Sequence, residues 1–173
     1  MDTIERSRNL SLRELSREAL WFSLHTLIAV AILALVLAAL TQTHPDPAAL
    51  EPKLLGTALA FLFPLEGGFF IARKQRHVAA RTTWISGLVT FALISLWVLD
   101  LPTGIGLCNH CGAAEKLIRT FFDIAHGSGL MNGNGLLIGT WIPLAMVGYA
   151  AGAKIGLSES IRYQSPETAV SRS

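Results

Sequence analysis

The sequence predicts an all-α integral membrane protein with four transmembrane helices and both termini on the same side of the membrane. Three observations lead to this fold class. Hydrophobic residues make up 51% of the chain and charged residues only 15%, whereas a soluble globular domain carries about 25% charged residues. Four apolar runs are long enough to cross a hydrocarbon core of about 30 Å. The basic residues are also distributed unequally between the loops, which indicates the orientation.

The four predicted spans are residues 20–40, 53–72, 82–101 and 135–153. The first contains 21 residues, which matches the length of helix that a bilayer requires. Three prolines in the loop that follows it prevent a continuous helix. Within the second span, Pro64 is expected to break the helix. No internal repeat is visible among the four spans.

Three segments flank or connect these spans. Residues 1–19 are expected to form a cytoplasmic amphipathic helix on the membrane surface, or else the solvated start of the first span. The long loop 102–134 is expected to contain a short interfacial helix over residues 112–126, and the polar tail 154–173 is expected to be disordered. The apolar side of the loop helix is predicted to consist of Leu117, Ile118, Phe121, Phe122 and Ala125.

The orientation follows from the positions of lysine and arginine. Of the 14 such residues, eleven lie in the N-terminal segment, the turn 73–81 or the C-terminal tail, and three lie in the other loops. Since cytoplasmic loops carry the excess of positive charge, both termini are predicted to be cytoplasmic. The low lysine content beside abundant alanine and arginine suggests a bacterial source. We therefore expect a multi-pass inner-membrane protein whose loop 102–134 is periplasmic.

The two cysteines of the chain, Cys108 and Cys111, enclose Asn109 and His110 in that loop. This spacing is compatible with a disulfide, a redox-active dithiol or part of a metal site. Because an exported loop lies in an oxidising compartment, a structural disulfide between Cys108 and Cys111 is favoured. A neighbouring imidazolium at His110 would increase thiol reactivity, so these three residues are also candidate catalytic residues. A metal site with His126 would have at most three usable ligands, and no metal is predicted.

A four-span membrane protein of this length with an exported Cys-x-x-Cys motif resembles, in topology alone, the quinone-linked thiol oxidases of the DsbB and vitamin K epoxide reductase type. The resemblance implies a membrane thiol–disulfide oxidoreductase that uses a quinone as its cofactor. Those enzymes relay electrons through two cysteine pairs, whereas this chain has one pair, in its second exported loop. Cys108 and Cys111 would therefore have to exchange directly with a partner protein.

A polar layer is predicted inside the membrane near its cytoplasmic side. Glu66 lies six residues from the end of the second span and His25 five residues from the start of the first. Both residues are thus expected about 8–9 Å inside the membrane, facing each other in the bundle interior. Ser86 and Tyr149 are expected in the same layer. This layer would be a proton-relay or ligand site, or a polar clamp between helices.

Glycines recur at four-residue intervals in and beyond the fourth span, at Gly148, Gly152 and Gly156. Such a ridge allows close approach of another helix, within the protein or from a partner subunit. The chain contains no nucleotide-binding or hydrolase fingerprint. The basic turn 73–81 is explained by topology and anionic lipid, and no nucleic acid partner is expected.

The sequence therefore favours a non-enzymatic membrane subunit or regulator of a larger complex for transport, secretion or energy transduction. Its expected partners are membrane lipid and another protein, bound through the spans or through loop 102–134. No cofactor is predicted for this function. The alternatives are the thiol–disulfide oxidoreductase and a proton- or ion-coupled carrier centred on Glu66.

Overall fold

The computed structural model describes residues 12–43, 50–75, 77–100, 112–122 and 137–162. These residues form helices and no strand, which confirms the all-α prediction. The α-helices are α1 (Leu12–Thr43), α2 (Leu50–Gln75), α3 (Trp84–Asp100), α4 (Ala113–Phe122) and α5 (Ile142–Arg162). A 3-10 helix, Val78–Thr82, precedes α3, and a π-helical turn, Leu137–Trp141, precedes α5.

Three segments are long and apolar enough to cross a membrane: Leu12–Thr43, Lys53–Gln75 and Val78–Asp100. They contain the first three predicted spans. Large apolar side chains cover their outer surfaces, including Leu35 and Leu93, which are 72% and 61% exposed. Water solvates such a surface poorly, whereas lipid solvates it well. The described helices are therefore compatible with a membrane protein.

Helix α1 runs without interruption through the segment that was expected to form a separate surface helix. It has 32 residues and contains neither glycine nor proline, so nothing in the sequence ends it before the apolar run begins. Residues 12–19 are all exposed. They match the alternative interpretation, in which this segment is the solvated start of the first span. Residues 1–11 lie outside the described part of the chain.

Helix α2 continues through Pro64, so the predicted break at this residue is wrong. Proline removes one backbone hydrogen bond from a helix and normally kinks or breaks it. Pro64 is fully buried, and α2 packs along α5 on both sides of it. The tertiary contact therefore maintains a helix that the local sequence disfavours. Pro52 lies in the first turn of α2, where proline is tolerated.

Helix α5 is the centre of the bundle and contacts α1, α2 and α3. It overlaps the fourth predicted span but is not among the three segments that are long and apolar enough to cross a membrane. It is rich in glycine and alanine and contains Lys154. Small residues suit a helix that faces other helices instead of lipid. The closest approach of two helices in the bundle lies between α5 and α2.

The contact between α2 and α5 is made by backbone against backbone. A Cβ atom added to Gly148, Gly152 or Gly156 would overlap the carbonyl oxygen of Phe61, Leu65 or Phe69, respectively. Gly68 of α2 lies in the same way against the backbone of Tyr149. The glycine ridge of α5 thus packs within this chain, against carbonyls that repeat every four residues along α2.

Helix α4 buries only part of its predicted apolar side, since Leu117 and Phe121 pack on α3 but the buried face is rotated towards Thr120. Thr120 and Phe121 are buried, whereas Ile118 and Phe122 are 58% and 68% exposed. The reason is the π-helical turn, whose Gly139 packs against the side chains of Thr120 and Phe121 and fixes the rotation of α4. Phe121 also meets Phe91 of α3 at a ring distance of 4.5 Å. The predicted end of the helix, residues 123–126, lies outside the described part.

The prediction of disorder in the C-terminal tail is wrong for its first nine residues. Helix α5 continues to Arg162, well beyond the predicted end of the fourth span. Gly156 still packs on α2, and Arg73 of α2 forms a salt bridge of 3.8 Å with Glu159. Contacts with α2 therefore extend the helix past its apolar portion. Residues 163–173 lie outside the described part.

Candidate functional site

A buried histidine–tyrosine pair joins α1 to α5. His25 and Tyr149 are both fully buried, and His25 Nδ1 lies 2.7 Å from the Tyr149 hydroxyl oxygen in a hydrogen bond. Buried polar groups are almost always hydrogen-bonded, and this bond satisfies one ring nitrogen. The other, Nε2, has no hydrogen-bond partner among the described residues. These two residues were expected in one layer, but Glu66 was expected as the partner of His25.

Two further aromatic side chains complete this site. Trp21, one turn before His25 on α1, stacks on His77 with ring centroids 3.7 Å apart and an angle of 23° between the planes. The rings of His77 and His25 are 5.9 Å apart. We call Trp21, His25, His77 and Tyr149 the aromatic cluster. Sequence reasoning missed Trp21 and His77, although the four-residue spacing of Trp21 and His25 was a usable signal.

Ser86 lies beside the aromatic cluster without joining it. Its hydroxyl oxygen is 3.2 Å from that of Thr26, the residue after His25, and Ser86 donates a hydrogen bond to the carbonyl of Thr83. These contacts join α1 to the start of α3. Together with the histidine–tyrosine pair, they form polar contacts among three helices.

Glu66 does not face the bundle interior, and the expected pair with His25 is not formed. Its side chain is exposed on the outer surface of α2. The adjacent Gly67 packs on Ile32, which is seven residues beyond His25 on α1, or about 10 Å along the helix. Among the described residues, Glu66 forms no salt bridge. The prediction therefore had both the depth and the direction of Glu66 wrong.

Glu66 belongs to a continuous outer face of α2. We define the α2 outer face as Leu59, Phe63, Glu66 and Phe70, which recur at the three- and four-residue spacing of one helix side. Phe63 and Phe70 are 49% and 64% exposed. Leu59 and Phe63 also line an apolar groove of about 350 Å³ between α1 and α2. Glu66 thus lies one helical turn from the apolar groove, and none of the described residues that line the groove is charged.

The opposite end of the bundle is joined by the π-helical turn. Trp141 donates a 2.9 Å hydrogen bond from Nε1 to the hydroxyl of Thr57 on α2. Thr140 donates one of 2.6 Å to the carbonyl of Phe121 on α4. Lys53, one turn before Thr57, is only 4% exposed, and its Nζ has no hydrogen-bond partner within the described part of the chain. The turn therefore connects α2 and α4 beside a buried lysine.

The predicted cysteine site lies outside the described residues. This applies to Cys108, His110, Cys111 and His126, so the disulfide, redox and metal interpretations stay predictions. In the part of the chain that is described, no group of three His, Cys, Asp or Glu side chains is arranged to hold a metal ion. The aromatic cluster contains two imidazoles and a phenol, and its contacts connect α1, α5 and the segment that precedes α3.

Comparisons with protein-family models, with curated proteins and with solved structures find no match to this chain. Function must therefore be inferred from the geometry of the helices. Two features of the described residues stand out chemically: an outward-facing carboxylate on α2, and the polar contacts that join α1, α3 and α5.

Proposed function

We propose that the protein is a non-enzymatic, four-span subunit of a larger complex in a bacterial inner membrane, and that it binds its partner protein through the α2 outer face. One observation carries this proposal: Glu66, a charge within the second apolar segment, is exposed and forms no salt bridge with the described residues. A carboxylate in that position needs a partner that this bundle does not supply.

The proposed topology has α1, α2, α3 and α5 as its four spans. The fourth span would combine the π-helical turn Leu137–Trp141 with α5 up to Ala153, which is 17 residues and lies at the lower limit for crossing the hydrocarbon core. The excess of lysine and arginine in the N-terminal segment, the turn 73–81 and the tail supports cytoplasmic termini. Loop 102–134, with Cys108 and Cys111, would then be periplasmic.

Energetics favour a protein partner for Glu66 over lipid. Glu66 lies nine residues before the end of α2 at Gln75, or about 14 Å at 1.5 Å per residue. A charged side chain deep in the membrane costs about 2.5–3.5 kcal/mol on insertion scales, and such residues usually face protein. Since Arg73, the nearest cation towards that end of α2, pairs with Glu159, the complementary group is expected on another molecule.

The geometry also indicates what the partner looks like. The groove between α1 and α2 is lined by aliphatic side chains and Phe63, so it would accept the apolar side of a transmembrane helix. A second copy bound by two-fold symmetry would bring its own Glu66 towards this one, and like charges repel. We therefore expect a different protein whose helix presents Lys, Arg or a hydrogen-bond donor to Glu66.

Replacement of Glu66 tests this proposal in cells. Glu66→Leu removes the carboxylate, and Glu66→Lys reverses its charge. Both variants should lose the partner that purifies with the wild-type protein in mild detergent, and a carboxylate introduced at the partner's basic position should restore binding to Glu66→Lys. This rescue is specific, because a folding defect in the variant would not be repaired by a change in the partner.

A matched control lies on α3, which is not part of the groove. Leu93 is also exposed, and Leu93→Ala should leave partner recovery unchanged. If Glu66→Leu instead retains the partner and increases the stability of the purified protein, Glu66 simply faces lipid and the proposal fails. Loss of the partner in both Glu66→Leu and Leu93→Ala would also contradict it.

A further inference from the structure

A cleft lies between α5 and the junction of the 3-10 helix with α3. It has a volume of about 440 Å³. The lining residues that matter here are two cations, one aromatic side chain and three small or apolar residues of α5: Arg81, Lys154, Trp84, Val147, Ala150 and Ala151. The cleft is separate from the α2 outer face, since none of its lining residues comes from α2.

The two cations of this cleft are not neutralised by the described part of the protein. Arg81 and Lys154 are both exposed, and no carboxylate lines the cleft. The salt bridges formed by the described residues involve Arg17, Arg73 and Arg119. Two unpaired positive charges at one cleft attract an anion, and a phosphate group accepts hydrogen bonds from both guanidinium and ammonium groups.

The cleft changes from charged to apolar along α5. Lys154 is at one end and Val147 at the other, seven residues or about 10 Å apart. Between them, Ala150 and Ala151 provide small side chains that leave space against Trp84, which is 45% exposed. A free phosphate would use only the charged end. An amphipathic anion, with its charge at one end and its hydrocarbon at the other, would use the whole cleft.

We propose that this cleft binds an anionic phospholipid of the cytoplasmic leaflet. Its phosphate lies between Arg81 and Lys154, and one acyl chain lies along Ala151 and Val147. In the proposed topology, Arg81 and Lys154 stand at the cytoplasmic headgroup level, where basic side chains attract anionic lipid and tryptophan anchors helices. This site depends on that orientation but not on the partner of Glu66.

Lipid titration of the purified full-length protein, followed by native mass spectrometry, tests the site. The probes are phosphatidylglycerol and phosphatidylcholine with identical acyl chains. The double variant Arg81→Gln/Lys154→Gln should bind phosphatidylglycerol about 30-fold more weakly, or about fivefold for each cation removed. Ala151→Leu, which fills the apolar part without changing charge, should also weaken phosphatidylglycerol binding.

The matched control, Arg13→Gln/Lys74→Gln, removes two exposed cations from outside the cleft and gives the same net charge. It should retain wild-type affinity for phosphatidylglycerol. The proposal fails if both double variants lose the same affinity, if phosphatidylcholine binds as tightly as phosphatidylglycerol, or if millimolar inorganic phosphate displaces the lipid. Unchanged binding by Ala151→Leu would overturn the assignment of the acyl chain to this cleft.

Discussion

Substitution of Gly152 by alanine should separate α2 from α5. The new Cβ atom would overlap the carbonyl oxygen of Leu65 and lie 2.7 Å from its carbonyl carbon and 2.9 Å from the backbone nitrogen of Phe69. Neither neighbour can rotate away, because both are backbone atoms in a helix. The helices must therefore move apart by about 1.5 Å to restore ordinary van der Waals contacts of about 3.2–3.5 Å.

The free-energy cost of this movement can be estimated. A gap of 0.5–1 Å forfeits roughly a quarter to a half of the dispersion energy of each affected contact. Overpacking of this kind costs about 1–3 kcal/mol, and an immovable backbone places Gly152→Ala near the upper value. Alanine regains about 1 kcal/mol through its higher helix propensity. The net destabilisation is about 2 kcal/mol, or roughly a 30-fold change in the unfolding equilibrium.

Gly67→Ala is the matched control, because its new Cβ atom would meet only the tip of the flexible Ile32 side chain. A rotamer change of Ile32 costs about 0.5–1.5 kcal/mol, which the gain in helix propensity largely offsets. Unfolding by SDS titration in mixed micelles, followed by circular dichroism, measures both variants. Equal stabilities of Gly152→Ala and Gly67→Ala would refute the described packing of α2 against α5.

Three further predictions concern single contacts. Tyr149→Phe leaves Nδ1 of buried His25 without its partner and should lower the free energy of unfolding by about 1–3 kcal/mol in the same titration; wild-type stability would mean that this hydrogen bond does not form. Trp141→Phe removes the hydrogen bond to Thr57 and should lower the free energy of unfolding by about 1 kcal/mol. In a Thr57→Val background, the same substitution should lower it by less. Equal decreases in the two backgrounds would show that the two side chains are not coupled. Cys108 and Cys111 should react with a membrane-impermeant maleimide in intact cells only after reduction, and labelling without reductant would contradict the predicted disulfide.

The helical elements could be predicted from the sequence because the apolar runs that mark them are long. The first three spans coincide with apolar helices of the structure, and their predicted limits err by a few residues where tertiary contacts extend a helix. Helix α5 runs to Arg162 because its polar end still packs on α2. Pro64 was misread for the same reason, since local propensity does not include the support of a neighbouring helix.

The direction of individual side chains was harder to predict. His25 was expected to pair with Glu66, with Tyr149 only in the same layer, whereas in the structure His25 is hydrogen-bonded to Tyr149, because a buried polar group needs a partner. Glu66 was placed incorrectly, because depth was counted from approximate helix ends and the rotation of α2 about its axis is set by Gly68 meeting α5. Without Glu66 beside His25, the carrier hypothesis loses the pair of groups on which it was based.

Site-specific photocrosslinking in intact cells tests the proposed partner contact most directly. A photoreactive amino acid at Phe63, in the groove beside Glu66, should crosslink to one transmembrane protein other than this chain. The same probe at Leu93 on α3 should give no such product, and Glu66→Lys should abolish the product at Phe63. Crosslinks from Phe63 only to lipid or to a second copy of this chain would contradict a subunit that binds a different protein through the α2 outer face.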